Sequence, residues 1–462
     1  MGLFDALKKA SASKPAAAPA AVLPPPEGRI SPVVEPAPAH VGVPQNPGGE
    51  KFLLFAGGDA AWFSQIERDI RCLQPNWRCT YSADSKQMLE KWASGSFFAL
   101  VVDGKMTDGP GLVKALEKEI AQTICLVRCN THDRAAAAHW KGTGVAFVSE
   151  EGDASVLAAS VKRAARLRDW MADAAIKKLV AQIRKLPAQP KLHTEVSTEL
   201  QSPSGSLDTV GRLISQDPVM SAKILQVVNS AFFGMSREIS DTTESVMVLG
   251  AERIKALILL AAAFSQYSNA KCPGFSIEPI WGHSLQVGLF ARAIALAETK
   301  NTRTAEAAFT AGLLHDIGKL VLAGNLPEMY GTVMRLRTSR NVTTREAEME
   351  MLGTSHAELG ACLLATWGLP LPILEAIAWH HQPERSDEHG FSLLAAVHAA
   401  NAFSQEQTPG DFERAKINTA YLINAGLGDC AGRWREICGV SDAQKSEAAE
   451  ELARQRREAK EN

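Results

Sequence analysis

Residues 311–323 read AGLLHDIGKLVLA, and this stretch decides the fold of the second half of the chain. Its apolar residues recur at helical spacing around a His-Asp pair, His315 and Asp316. Seven of the eleven histidines lie between positions 283 and 398, which suggests convergence on one site. His283 sits in IWGHSLQVGLFARAIA, His356 in GTSHAELGACLLATWGLP, and His380 with His381 in AIAWHHQPE. Neutral imidazoles and carboxylates suit zinc, iron, manganese and nickel, and several brought from separate helices close a metal centre in a bundle core. A metal there would activate water for phosphoester hydrolysis. A lone histidine on an apolar helix face is more often a satisfied core residue; this string, with its upstream and downstream histidines, is more specific.

Outward from that stretch, the segments from Leu207 through Leu427 are apolar at helical spacing. Caps and breakers such as Asp217-Pro218, Gly234, Gly250, Pro279 and Gly368-Leu369-Pro370 separate them. An all-helical domain over residues 186–440 is expected. Ahead of it, residues 154–185 read as a connector of one long helix or two, with Ile176, Leu179, Val180 and Ile183 as an apolar stripe. Its Lys162, Arg163, Arg166, Arg168, Lys177 and Lys178 read as a solvated face. Residues 441–462, rich in Ala, Glu, Lys and Arg, read as a charged helix or tail.

Residues 51–153 follow another pattern. Five candidate strands, KFLLFA, RCTYS, FFALVVD, TICLV and GVAFVS, alternate with helical stretches such as Trp62 to Leu73 and Ser85 to Ala93. That alternation predicts a doubly wound, five-stranded parallel sheet covered on both faces. Ten of the 23 prolines fall between Pro15 and Pro47, so residues 1–50 are expected to form a disordered Ala/Pro-rich leader.

At 462 residues the chain has room for two or three domains. A composition of 46% hydrophobic and 22% charged residues with net charge -2 gives no bulk electrostatic reason to hold nucleic acid, and no DNA-binding domain is expected. The eight cysteines form no CxxC pair, which fits a reducing cytosol and a cytoplasmic location. The longest apolar stretch, Ile254 to Phe264, is interrupted by Lys255 and falls short of the roughly 20 residues needed to span a bilayer, so no transmembrane segment is expected.

On these residues the second half resembles the HDOD domains of the HD superfamily, over roughly Ile183 to Gln405. The segments LPAQPKLHTEV, ISQDPVMSAKILQVVNSAFFG and REISDTTESVMVLGAERIKALILL carry the HDOD-like pattern ahead of the histidines. The resemblance implies a second helical bundle packed on the HD-like one and a signalling output role. It also implies a candidate metal set of His283, His315, Asp316, His356, His380, His381 and Asn401. Asn401 stands where HD enzymes place a final metal-binding Asp, and its neutral carbonyl is the weaker ligand. The chain continues HHQPERSDEHG where HD-GYP relatives carry a Gly-Tyr-Pro loop. His398 is an alternative ligand against a plainer reading as a packed histidine. Lys319 is a candidate phosphate contact against a plainer reading as a surface lysine. Glu346, Glu348 and Glu350 are candidate extra acids against a solvated helix face.

The stretch FFALVVDGKMTDGPG resembles the phosphoacceptor segment of response-regulator receivers, with Asp103 in the matching place. Where receivers hold Mg²⁺ with an acidic pair, this chain has Gly57-Gly58 before a single Asp59, so Mg²⁺ is not expected there. Arg128 falls near the family's Thr or Ser, and Ser149 or Glu150 near its Lys. Arg128 is placed to pair with Asp103 and neutralise it permanently.

The expectation is therefore a multidomain protein, an α/β doubly wound receiver-like domain followed by an all-α HDOD domain. It would act as a signal-transduction output by binding, with no catalytic residue assigned. Expected partners are signalling proteins, a sensor kinase or cyclic-dinucleotide pathway proteins, with a nucleotide as candidate ligand. The alternative is a metal-dependent HD-type phosphohydrolase using Fe, Mn, Zn or Ni.

Overall fold

The computed structural model describes residues 50–115, 124–129, 140, 146–149, 152–183, 187–202, 204–230, 237–267, 271–386, 388–407 and 416–439. The expected leader and the expected charged tail lie outside the described residues, except for residue 50.

Five parallel strands, β1 (Lys51–Ala56), β2 (Trp77–Ser82), β3 (Ala99–Asp103), β4 (Ile124–Cys129) and β5 (Ala146–Ser149), form one sheet in the order β2-β1-β3-β4-β5. Alternate residues of each strand point to opposite faces. Leu53, Phe55, Val101 and Leu126 lie with Phe63, Ile66 and Ile70 of α1 (Ala60–Leu73) on one face. Leu54, Leu100, Val102 and Val127 lie with Met88 of α2 (Ser85–Ser94) and Leu112 and Val113 of α3 (Gly109–Ala115) on the other.

The expected connector over 154–185 is two helices, α4 (Ala154–Met171) and α5 (Ala174–Gln182). The break is local chemistry: the Asp173 side chain accepts from the backbone of Ala175 and Ile176 and restarts the helix. The first part of α4 is a layer of the α/β unit. Its Leu157, Ala158, Val161 and Ala165 pack on the sheet, while Leu167 and Trp170 join the core of the helical half.

That half is built from α6 (Lys191–Gln201), α7 (Leu207–Ser215), α8 (Pro218–Val228), α9 (Thr242–Leu249), α10 (Ala251–Tyr267), α11 (Glu278–Thr299), α12 (Thr302–Leu314) and α13 (Ile317–Asn325). It continues with α14 (Pro327–Arg340), α15 (Thr344–Leu352), α16 (His356–Thr366), α17 (Leu371–Trp379), α18 (Leu393–Gln407), α19 (Thr419–Asn424) and α20 (Cys430–Ile437). Asp217 caps α8 by accepting from Val219 and Met220, with Pro218 at the first helical position. One apolar cluster runs through the whole half, from Val180 to Trp434. Among the described residues, no helix is long and apolar enough to cross a membrane.

Candidate metal centre

The HDIGK segment works because of its glycine. A Cβ on Gly318 would sit 2.0 Å from the His356 carbonyl oxygen, so only glycine lets α13 abut the start of α16. That contact brings Asp316, at the head of α13, against His356, the first residue of α16. His283 comes from α11, His315 from the end of α12, and His380 and His381 follow α17. His315, Asp316, His356 and His380 are all buried.

Backbone and side-chain partners fix which ring nitrogen faces the centre. His315 Nδ1–H donates to the Gly312 carbonyl at 2.7 Å, and His380 Nδ1–H donates to the Ile377 carbonyl at 2.8 Å. The Ser404 hydroxyl donates to Gln286 at 2.6 Å, so it receives the His283 Nδ1 hydrogen at 3.1 Å. Each ring therefore turns its Nε2 lone pair inward. These Nε2 atoms lie 3.3 Å (His315), 3.8 Å (His283) and 4.0 Å (His380) from the Asp316 carboxylate. Lone pairs facing a carboxylate repel one another unless a cation lies among them. His315 Nε2 and His380 Nε2 are buried with no hydrogen-bond partner. The atoms of His283, His315 and Asp316 are close enough to share one ion, as are those of His356, His380 and His381.

The charges are already balanced within the chain. Lys319 Nζ donates to Asp316 Oδ2 at 2.9 Å. His356 bridges two acids, with Nδ1 2.6 Å from Glu348 and Nε2 3.1 Å from Asp316 Oδ1. Burial works against the charged form of His356, but Glu348, with the Asp316 carboxylate nearby, overcomes it and pushes the pKa up to about 10, while His356 Nε2 also lies 3.2 Å from His381 Nε2. Burial works against the Asp316 carboxylate too, yet the Lys319 ammonium beside it holds it well below the ordinary value. Burial, reinforced by His381 and His315, drives His380 far below the usual imidazole range and keeps it neutral.

Residues 186–383 match the HDOD domain family. This segment is an HDOD domain. An uncharacterised protein of Treponema pallidum (strain Nichols) is 28% identical over 231 residues, 49% of this chain and 44% of its own length. The chain thus spans less than half of that relative. A crystal structure of an HDOD domain protein of unknown function from Geobacter sulfurreducens is 24% identical, covering 64% of this chain and 95% of that one, with a TM-score of 0.46. A phosphohydrolase candidate from Shewanella amazonensis is also 24% identical, covering 60% of this chain and 98% of that one, with a TM-score of 0.44.

Inside and just beyond the HDOD domain, three plain readings of the sequence need correction. Lys319 is not a surface lysine but is 4% exposed, because it serves Asp316. Glu348 is not on a solvated face; it is fully buried and bound by His356 and the Tyr330 hydroxyl, while the Glu346 side chain accepts from the backbone of Thr343, the N-cap of α15, and Glu350 pairs with Arg340 at the surface. Arg163 and Arg166 are not solvated, since both reach Glu375 of the HDOD domain from α4. His398 is a packed residue, with Nδ1 donating to the His380 carbonyl and Nε2 accepting from Asn418, so neither nitrogen is available as a ligand. Asn401 is buried on α18, and its Oδ1 accepts from Gln405 at 3.5 Å.

A second candidate site lies at the carboxyl ends of the strands. Arg128 donates to Asp103 Oδ2 at 2.8 Å while its guanidinium stacks over Trp62, and Asp103 Oδ1 accepts from the Lys105 backbone at 2.9 Å. Gly58, at φ +83°, allows this: a Cβ there would meet the Asp103 carboxylate at 2.8 Å. A cavity of about 560 Å³ opens beside them, lined by Gly57, Asp59, Lys105 and Met106 among others.

Proposed function

We propose that this chain is a signal-transduction output protein whose HDOD domain acts by binding. It is joined, through residues 154–185, to a receiver-like α/β domain over 51–153 that does not take phosphate on Asp103. The helical domain would run over 186–440. The observation that carries this reading is the Lys319–Asp316 ion pair. The acid of the HD pair is already held by a buried lysine, and Glu348, a second buried acid beside the cluster, is held by His356.

The donor set nevertheless fits one divalent ion, because the inward lone pairs of His283, His315 and His380 converge on Asp316. An ion held there would supply Lewis-acid and water-activating chemistry. Lys319 and protonated His356 balance Asp316 and Glu348, so a dication adds uncompensated charge to a buried site. An anion must then accompany it. This favours a phosphate-bearing ligand such as a nucleotide, held rather than hydrolysed. In the receiver-like domain, Arg128 occupies the Asp103 oxygen that an incoming phosphoryl group would need.

A second reading, a metal-dependent phosphohydrolase, is favoured by the unpartnered Nε2 atoms of His315 and His380. Metal analysis of the full chain, purified without chelator beside a His315→Ala/Asp316→Ala variant, tests whether the cluster holds an ion, and phosphoester turnover separates the two readings, since a mononuclear hydrolase also holds one. At most about one equivalent is expected, lost in the variant. Two equivalents lost together would favour the hydrolase.

A further inference from the structure

Arg163 of α4 holds two carboxylates that bracket the histidine pair. Its Nε donates to Glu375 Oε2 at 2.5 Å, and a terminal nitrogen bonds Glu388. Glu375 lies on α17 ahead of His380, and Glu388 lies beyond His381, so one guanidinium grips the chain on both sides of the pair. Arg166 donates to Glu375 Oε1 at 2.9 Å, and the Ser386 hydroxyl donates to the same oxygen at 3.2 Å. The Glu375 side chain is only 2% exposed. Leu371, the first residue of α17, packs against the apolar cluster between the sheet, α1 and α4. The segment that carries His380 and His381 is therefore anchored to the α/β unit at its start and on both flanks.

We propose that Arg163 is a positioning residue through which the α/β unit sets the placement of His380 and His381. The fork of a guanidinium can bond two carboxylates at once, which a lysine cannot reproduce. Without it the buried Glu375 keeps Arg166 and the Ser386 hydroxyl, but the partly buried Glu388 loses its close ion pair, so the tie to α4 on the far side of the histidines is weakened. A shift of α4 on the sheet would move Glu375 and Glu388 together and carry the histidines with them. This holds whether the cluster binds a metal, another ligand or neither.

Hydrogen exchange by mass spectrometry on the full chain tests it without reference to metal or turnover. In Arg163→Gln, peptides within residues 376–386 should exchange faster by about tenfold or more, with peptides from 283–314 unchanged. Arg163→Lys, which keeps the charge and loses the fork, should loosen the same peptides to a smaller extent and decides the matter if the Gln variant does not fold. The imidazole NMR signals of His380 and His381 should move in Arg163→Lys while that of His389 stays. Unchanged exchange at 376–386 in both variants, a uniform rise in every helix, or unmoved His380 and His381 signals would overturn the proposal.

Discussion

Glu348 Oε2 lies 2.6 Å from His356 Nδ1 and 2.9 Å from the His356 backbone nitrogen, with both side chains fully buried. This carboxylate gives His356 its proton and its orientation, and so delivers a cation to the Asp316 side of the cluster. Glu348→Ala should lower stability by about 3 to 5 kcal/mol, since it strands a buried imidazolium. Glu348→Gln, which keeps an acceptor for the amide, should cost less. Calorimetric melting of the full chain checks this, and an unchanged midpoint in the Ala variant would remove Glu348 from the account.

Lys319 and a divalent ion compete for the same carboxylate. Lys319→Met should therefore tighten binding of Mn²⁺ or Zn²⁺ by about tenfold or more, measured by competition with a chromophoric chelator. Weaker binding in the variant would show instead that the lysine supports the occupied state.

Asp103 is closed by Arg128. Incubation with acetyl phosphate and Mg²⁺ should leave the intact mass of the chain unchanged. Arg128→Ala should destabilise the α/β unit by about 2 to 3 kcal/mol by leaving a nearly buried carboxylate without its partner. Stoichiometric phosphorylation of Asp103 in the parent chain would contradict the silent-receiver reading.

His193, on α6, has its pKa lowered from 6.5 to about 4, chiefly by burial, with Lys255 adding to the effect. The unfolded chain then binds this proton more tightly than the folded one. The contribution of neutral His193 is complete above about pH 6.5 and is lost as pH falls through about 4. His193→Gln should show a smaller drop in melting temperature between pH 7 and pH 5 than the parent chain. Equal drops would assign the acid sensitivity elsewhere.

The helical periodicity after residue 186 and the strand runs KFLLFA and FFALVVD were legible because burial leaves a repeating pattern. The grouping of His283, His315, Asp316, His356 and His380 was legible for a different reason, the crowding of seven of the eleven histidines between positions 283 and 398. Glu348 was hidden among Glu346 and Glu350 on a helix with alternating charge. Nothing local separates the one glutamate that faces inward, and only the arrival of α16 settles it. Lys319 was misread for a similar reason, since a lysine stem packs in a core once an acid waits for it. Arg163 and Arg166 carry no local sign that their partners, Glu375 and Glu388, are more than two hundred residues away. The α4–α5 break, by contrast, was written in Asp173, a capping residue inside an otherwise continuous helical pattern.

The most direct measurement is turnover. The full chain, supplied separately with Mn²⁺, Fe²⁺, Zn²⁺ and Ni²⁺, is offered a panel of aryl phosphoesters, nucleotides and cyclic dinucleotides beside the His315→Ala/Asp316→Ala variant. If the HDOD domain acts by binding, the parent shows no hydrolysis above that of the variant with any metal. Hydrolysis that is present in the parent and absent from the variant would contradict this reading and make the HDOD domain a phosphohydrolase.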